Sequence, residues 1–569
     1  MAEQAFSPSL NERPSVAELF MPKIVTVWRE GYGWAALRAD AIAGLTVAIV
    51  ALPLSMAIAI ASGTTPERGL FTAIVGGFLI SALGGSRFQI GGPAGAFIVL
   101  VAATVERHGV DGVILATLMA GVILVVAGFL RLGTYIKFIP YPVTIGFTAG
   151  IAVIIAASQV KDLLGLELAG KEPGEIVPKI QALAGAIGTL NIAAFGVAVG
   201  AIALIALVRR FRPHWPGLLM AVVVAGLVTW AFALPVETIG TRFGGIPSTL
   251  PAPSLPDVSL ARLQALLPDA LAFALLGAIE SLLSAVVADG MTGRRHRSNC
   301  ELVAQGVGNM GAALFGGICA TGTIARTATN VRAGARGPMA GMLHAVFLLV
   351  FLVVAAPLAN QIPLAALAGV LVVVAWNMAE KHEFWSLLRA SRGDAVVLLA
   401  TFLLTIFRDL TEGIVVGFVL GAALFIHRMA GAAGIEAVRD RADSEGNRAP
   451  YDPSLAESDI VVYRLSGAFF FGTASTVGAV LDRVASSYRA LVLDLSAVPF
   501  IDSTAANVVA GLARRARRDD AKLVIAGATS ATRGMLAIAG VGPDAASFRA
   551  SAEEAVRELR SRPPAGPSG

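Results

Sequence analysis

At 569 residues, 56% hydrophobic and only 15% charged, with a mean hydropathy of +0.74, the chain is too apolar for an ordinary soluble protein. Its net charge of +5 does not point to nucleic acid, because the basic residues sit between hydrophobic segments, where membrane topology accounts for them. The two cysteines, Cys300 and Cys319, match neither a disulfide framework nor a metal-ligand spacing, and the six histidines form no ligand pair, so no metal or cofactor is expected.

Residues 1–40 hold Trp28, Arg29, Trp34, Arg38 and Asp40 but no short apolar core before a small-residue cleavage site, and they read as a cytoplasmic lead-in. A transport domain is expected over 41–428. A run of about 20 apolar residues crosses ~30 Å of hydrocarbon as a helix. Fourteen candidate spans fit, near 41–62, 69–85, 91–105, 112–130, 136–157, 189–208, 217–234, 267–288, 302–317, 322–333, 338–357, 362–378, 394–408 and 412–427. The third and tenth are short and interrupted by Gly or Pro. Loops after even-numbered spans carry Arg131 and Lys137, Arg209 and Arg210, Arg294 and Arg295, Arg332 and Arg336, Lys381 and Arg389. That bias places both termini in the cytoplasm. A shift of 227 residues superposes span one on span eight and span three on span ten, pairing Gly63 with Gly290 and Gly95 with Gly322. A shift of seven spans inverts the second half, which is the inverted repeat of many secondary transporters.

Three stretches carry chemistry. In LLGAIESLLSAVVADG, 275–290, Glu280 lies deep in an apolar span, with Ser284 one turn on and Asp289 near its cytoplasmic end. Intramembrane carboxylates mark ion or proton pathways, and burial disfavours their ionised form. The alternative is a structural carboxylate bonded to a neighbouring helix. In GGICATGTIARTATN, 316–330, small residues run into a helix start that carries Arg326, although an arginine at mid-bilayer costs at least ~2.5–3.5 kcal/mol. IGGPAGAF, 90–97, mirrors this from the other half. Two facing helix N-termini plus an arginine make an anion site. The alternative for Arg326 is a purely structural ion pair with Glu280. The candidate substrate contacts are Gly92, Ala94, Gly95, Ala96 and Phe97 on one side and Gly322, Thr323, Ile324, Ala325 and Arg326 on the other. The hydroxyls of Thr321 and Thr327 are further candidates. Glu280 and Ser284 are the proton-coupling candidates.

Residues 429–458 are polar and rich in Gly, Asp and Ser, a linker signature. An α/β domain is expected at 459–560. DIVVYRLSGAFFFG reads as a strand pair, ALVLDLS and KLVIAG as strands, and TAANVVAGLARRARR as an amphipathic helix, with further helices near 531–539 and 551–560. The tail, 561–569, reads as disordered.

With these residues in view, the chain resembles the SulP family of anion transporters and exchangers, the relatives of pendrin and prestin. The carrying motifs are GLTVAIVALPLSMAIAIASG at 44–63, IGGPAGAFIV at 90–99, ESLLSAVVADGMTGRRHRSNCELVAQGVGN at 280–309 and TGTIARTATNVRAGARGP at 321–338. The resemblance implies a multi-pass α-helical membrane protein with fourteen segments as two inverted repeats of seven. These form a core domain (spans 1–4 and 8–11) and a gate domain (5–7 and 12–14), with elevator-like alternating access and a homodimer in the inner membrane. The soluble part resembles the small cytoplasmic STAS domain. Asp502-Ser503-Thr504 matches the turn whose serine is phosphorylated in anti-sigma-factor antagonists, so Ser503 is a regulatory candidate, set against a simple helix N-cap. Sodium-dependent bicarbonate transporters of the family place Asp where this chain has Glu280, and threonines where it has Ser284 and Ile324. Isoleucine has no oxygen for sodium, so a co-transported proton is the favoured coupling.

The resulting expectation is proton-coupled uptake of a small anion, sulfate first, with fumarate, succinate or bicarbonate as alternatives. A non-transporting scaffold or sensor acting through the STAS domain is the reading from another class. A nucleobase carrier on the same architecture would want a second carboxylate in span ten, where Arg326 stands. No nucleophile–base pair or phosphate loop suggests an enzyme.

Overall fold

The apolar segments fold as helices, broken where the sequence supplies Gly, Pro and Thr. The computed structural model describes residues 16–136, 140–170, 172–212, 215–408, 410–432, 434–437, 460–482 and 489–561. It divides into two units, residues 1–418 and 419–569.

In the first unit, helix α1 (Trp34–Ala61) is followed by Pro66–Phe71, a π-helical stretch Thr72–Gly76 and Gly77–Leu83. The chain then turns non-helical, forms the two-residue strand β1 (Gly91–Gly92), and enters α2 (Ile98–Phe129) through a 3-10 turn, Gly95–Phe97. Gly109, with φ 70°, bends α2 into two helices. That left-handed conformation is one glycine adopts without a Cβ penalty. The next helices are α3 (Tyr141–Leu164), α4 (Ile192–Phe211) and α5 (Gly217–Ala231). The second half repeats the plan with α6 (Leu260–Thr292), α7 (Ser298–Leu314), β2 (Thr321–Gly322), α8 (Ile324–Arg332) and α9 (Met339–Ala359). It closes with α10 (Leu364–Met378), α11 (Lys381–Ala390), α12 (Arg392–Phe407) and α13 (Leu410–Ala432).

Eight described helices are long and apolar enough to cross a membrane by length and composition. The expectation was fourteen spans. The difference has a physical cause: spans three and four run together as Gly95–Phe129, and others, such as α8 with nine residues, are shorter than the hydrocarbon thickness.

Packing sorts the helices into two groups. α1 packs on α9, α2 on α6 and α7, and α6 on α8, while α3 packs on α10 and α12, and α4 on α5 and α10. These are the core and gate groupings that the family resemblance implies. β1 and β2 join the two halves as an antiparallel pair, Gly91 opposite Gly322 and Gly92 opposite Thr321.

Non-helical backbone at membrane depth needs internal hydrogen-bond partners. Asn309 of α7 supplies both for Ala320, accepting from its N–H at 2.9 Å and donating to its C=O at 2.8 Å. Thr72 Oγ1 accepts from the Ile318 N–H at 2.7 Å. On the β1 side, Asn330 donates to the Phe88 carbonyl at 2.9 Å, and the Ile90 N–H donates to Thr327 Oγ1 at 3.2 Å. Glu301, fully buried, accepts from Gln89 and Gln305 and from the Ser86 N–H.

The second unit has a five-stranded sheet in the order β3 (Gly434–Ala437), β4 (Ile460–Ser466), β5 (Ala490–Ala497), β6 (Lys522–Ala526), β7 (Ser547–Arg549). Only the β3–β4 pair is antiparallel. Helices α14 (Phe471–Asp482), α15 (Ser503–Arg518), α16 (Ser530–Ile538) and α17 (Ala552–Ser561) complete it. α15 buries Ala505, Ala506, Val509, Ala510, Leu512, Ala513 and Ala516. That is the amphipathic spacing read from the sequence.

Two readings of this region need correction. The second strand of the expected pair in DIVVYRLSGAFFFG does not form: Phe469 makes an isolated bridge to Ile501, and Phe471 starts α14. The aromatic run looks strand-like by propensity, but Phe469 and Phe470 are buried as a loop, and the Phe471 N–H is fixed by Asp502 Oδ2 at 2.9 Å. Within the expected linker, 429–458, α13 continues to Ala432 and β3 pairs with β4, so its beginning is ordered structure; residues 438–459 lie outside the described residues, as does the tail, 562–569.

Candidate functional site

The first unit holds a cavity of about 370 Å³ between the two helix groups. Its core wall is built from α1 (Val47, Leu54, Ile58), the Pro93–Ala96 turn, α6 (Leu276, Glu280) and the start of α8 (Thr323–Arg326). The opposite wall comes from α3 (Val143, Thr144, Phe147, Thr148), Leu218, α10 (Val374, Asn377, Met378), Glu380 and Ile414.

Thr323 occupies the N-cap position of α8, but no side chain caps the helix. Its first N–H groups therefore lack the partner that a capping oxygen would give, and the helix dipole favours negative charge there. Thr323 Oγ1 is itself buried without a hydrogen-bond partner. Ala325 is the exposed tip of this turn, reaching into the cavity.

Arg326 sits on that first turn and is 2% exposed. Its Nη2 donates to Ser55 Oγ at 3.2 Å and to the Pro93 carbonyl at 3.1 Å, while Nε and Nη1 donate to nothing. Gly92 makes room for the guanidinium, because a Cβ there would collide with Nη1. Glu280 is half-buried, facing the cavity, and its Oε2 is enclosed without a partner. Glu280 and Arg326 lie close enough to influence each other's charge, yet no ion pair within 4.0 Å joins them among the described residues. The two opposite charges share one cavity and keep unused bonding capacity. Such an arrangement can accept an anion at Arg326 and a proton at Glu280.

The structure thus brings together Ala94, Gly95, Ala96, Thr323, Ile324, Ala325, Arg326 and Glu280 on the cavity wall. It does not bring Phe97 there. That ring is buried against Phe273 in an edge-to-face contact, centroids 6.0 Å apart. Gly92 and Gly322 sit behind the wall in the β1–β2 pair. Ser284 is buried and donates to Thr327 Oγ1 at 3.0 Å, and Thr327 in turn accepts from Ile90; these bonds hold α6, α8 and the β1 segment together. Thr321 similarly donates to the Gly277 carbonyl at 3.0 Å. Ser503, in the second unit, is exposed at the first turn of α15. The N-cap is Asp502, which accepts from the Ala505 N–H at 2.8 Å, so the capping role expected of Ser503 belongs to its neighbour.

Sequence reasoning missed the gate wall and also His344. This α9 residue is fully buried, has no partner for either ring nitrogen, and lies within the electrostatic reach of Arg326. A lone histidine in an apolar span was its only signal. Among the described residues, no group of three His, Cys, Asp or Glu could hold a metal.

Comparison with known proteins follows the same division. The sequence profile of the sulfate permease family matches residues 37–401, and that of the STAS domain matches 455–555. The protein YvdB of Bacillus subtilis is 40% identical over 518 residues, spanning 89% of this chain and 94% of its own. The bicarbonate transporter BicA of Picosynechococcus sp. is 31% identical over 516 residues, 87% of this chain and 90% of its own. The fold is shared with the murine solute carrier 26 family member A9 anion transporter, whose inward-facing structure superposes with a TM-score of 0.83 over 99% of this chain and 97% of its own, at 18% identity.

Proposed function

The chain belongs to the sulfate permease family, and on that premise we propose that it is a secondary active anion transporter that couples uptake of sulfate to protons. The carrying observation is the single cavity into which the uncapped start of α8, Arg326 and Glu280 converge. Arg326 and the α8 backbone bind the anion, assisted by the Pro93–Ala96 turn. Glu280 takes up the proton, which lets anion and proton occupy the cavity together. Glu280 also offsets the charge of Arg326 when the anion is absent.

The location of this cavity between the two helix groups supports elevator-like movement of one against the other; fourteen crossings, both termini on the cytoplasmic side of the plasma membrane and a homodimer as the working unit belong to the same proposal. Exposure of Ser503 supports a regulatory role for it in the STAS domain. Sodium coupling is disfavoured because Ile324 offers no oxygen at the α8 start, and Ser284 already engages Thr327.

A second reading, bicarbonate transport, is favoured by the 31% identity to BicA. The test is uptake of labelled sulfate, fumarate and bicarbonate into proteoliposomes, with and without a proton gradient. Sulfate uptake driven by an inward proton gradient is the expected result. Uptake of none of the three would sink the transport reading and leave the scaffold alternative.

A further inference from the structure

We propose that Glu380 sets the charge selectivity of the cavity, repelling divalent anions more than monovalent ones; this rests on the anion-transport reading above, whichever anion is carried, and weighs toward its bicarbonate alternative. Glu380 lines the same cavity as Glu280 and Arg326, but from the gate wall, at the junction of α10 and α11. Its backbone is left-handed, φ 38° and ψ 50°. A non-glycine residue pays for that conformation, and such outliers persist where surrounding structure holds them for a purpose. Of the other described non-glycine residues with positive φ (Arg131, Ala233 and Asp520), none lines the cavity.

Two described cations near it are engaged elsewhere. Lys381 donates to the Trp376 carbonyl and lies over the Trp376 ring, 4.1 Å from its centroid. Arg209 donates to Asn377 Oδ1 at 2.9 Å. Among the described residues no ion pair includes Glu380, and its side chain caps no helix. Glu383, on the first turn of α11, adds a second negative charge within electrostatic reach. The core wall therefore attracts anions through Arg326, while the gate wall presents a carboxylate with no ion-pair partner among the described residues.

Repulsion from a fixed charge scales with the charge of the anion. A divalent anion feels Glu380 twice as strongly as a monovalent one. One extra unit charge at a separation on the order of 10 Å, with an effective dielectric constant near 20, changes relative affinity on the order of tenfold. The competing role for Glu380 is a favourable charge at the N-terminus of α11. That role would affect stability and leave anion preference alone.

The experiment measures competition between labelled bicarbonate and sulfate for uptake by the full chain in proteoliposomes. Wild type is compared with Glu380→Gln, Glu380→Asn and Glu380→Asp. Asparagine tolerates the left-handed backbone well, so a neutral variant that folds is available. Both neutral variants should shift preference toward sulfate on the order of tenfold, and the aspartate variant should keep the wild-type ratio. An unchanged ratio in both neutral variants overturns the proposal. So does an equal shift in the aspartate variant, or a change confined to melting temperature. Wild type that carries neither anion would instead defeat the transport reading itself, before any variant is compared.

Discussion

Replacing Arg326 by alanine is expected to weaken anion binding while the helices stay in place. In the folded chain the guanidinium uses only Nη2, in bonds of 3.2 Å to Ser55 and 3.1 Å to Pro93. Both are long for charge-assisted bonds, which run about 2.7–2.9 Å. Bonds to a charged group contribute about 1.5–3 kcal/mol, and bonds this long fall at the low end, about 1.5 kcal/mol each. The variant also no longer buries a cation, which by itself disfavours insertion by ~2.5–3.5 kcal/mol. The two effects oppose one another, so a small net change in stability is expected. Binding has no such compensation. A hydrogen bond to a charged group contributes about 1.5–3 kcal/mol, which corresponds to roughly a 10- to 150-fold loss of apparent affinity. The assay is the concentration dependence of labelled sulfate uptake in proteoliposomes, with thermal melting of the purified protein alongside. Arg326→Lys keeps the charge but lacks the planar fork, and should fall between wild type and alanine. Unchanged affinity with unchanged melting in Arg326→Ala would refute the reasoning. Loss of folding in both variants would make the residue a structural one.

Gly92→Ala should act through the same guanidinium, because the added methyl displaces Nη1, and the positive φ of Gly92 adds backbone strain; lowered stability and a lowered sulfate affinity of the folded fraction are expected, and an unchanged affinity would show that the displaced group does not matter. Glu280→Gln preserves shape but cannot ionise, so uptake should lose its dependence on an inward proton gradient, and normal pH-dependent transport would remove Glu280 from the coupling role. Lys23 opens the short helix Lys23–Arg29, and burial, helped by Arg297 and Arg87, lowers its pKa from 10.5 to about 8. Because the folded chain holds this proton less tightly than the unfolded chain, docking of the helix is penalised below about pH 8 and the penalty is relieved as pH rises from there toward 10.5. Hydrogen exchange of residues 23–29, corrected for intrinsic rates, should show protection rising from pH 7 to pH 9, and Lys23→Met should abolish that rise.

Much of the architecture is visible in one dimension because a bilayer makes strict demands. Every apolar segment proposed from the sequence contains a helix, and the two interrupted ones break where IGGPAGAF and CATGT lie. A helix cannot run through that run of small and β-branched residues as readily as through Leu and Ala, and the freed backbone must find partners. The likeness of the two halves points to two broken segments facing each other, but does not contain their pairing as the strands β1 and β2. The count of crossings does not follow from length alone, since a 35-residue run bent at Gly109 and a nine-residue helix both escape a length rule.

The candidate site divides in the same manner. Arg326 and Glu280 announced themselves, because a charge inside an apolar segment is costly and needs a reason. Residue types at the right spacing could not tell that Phe97 turns toward Phe273, or that Ser284 serves Thr327 rather than the cavity. Nor could they tell that Asp502, and not Ser503, caps α15. Periodicity reports which residues are buried; it is silent on which neighbour they meet. The gate wall lay furthest from view. Thr144, Thr148, Asn377 and Glu380 are unremarkable along the chain and face Arg326 only after α3 and α10 pack together. The sequence by itself determined a membrane-embedded chain with two broken segments and with Arg326 and Glu280 as charges inside apolar stretches, because insertion energetics act residue by residue. Tertiary packing alone decided that these groups share one cavity unpaired, and which carboxylate stands across from them, because those facts depend on distances between helices far apart in the chain.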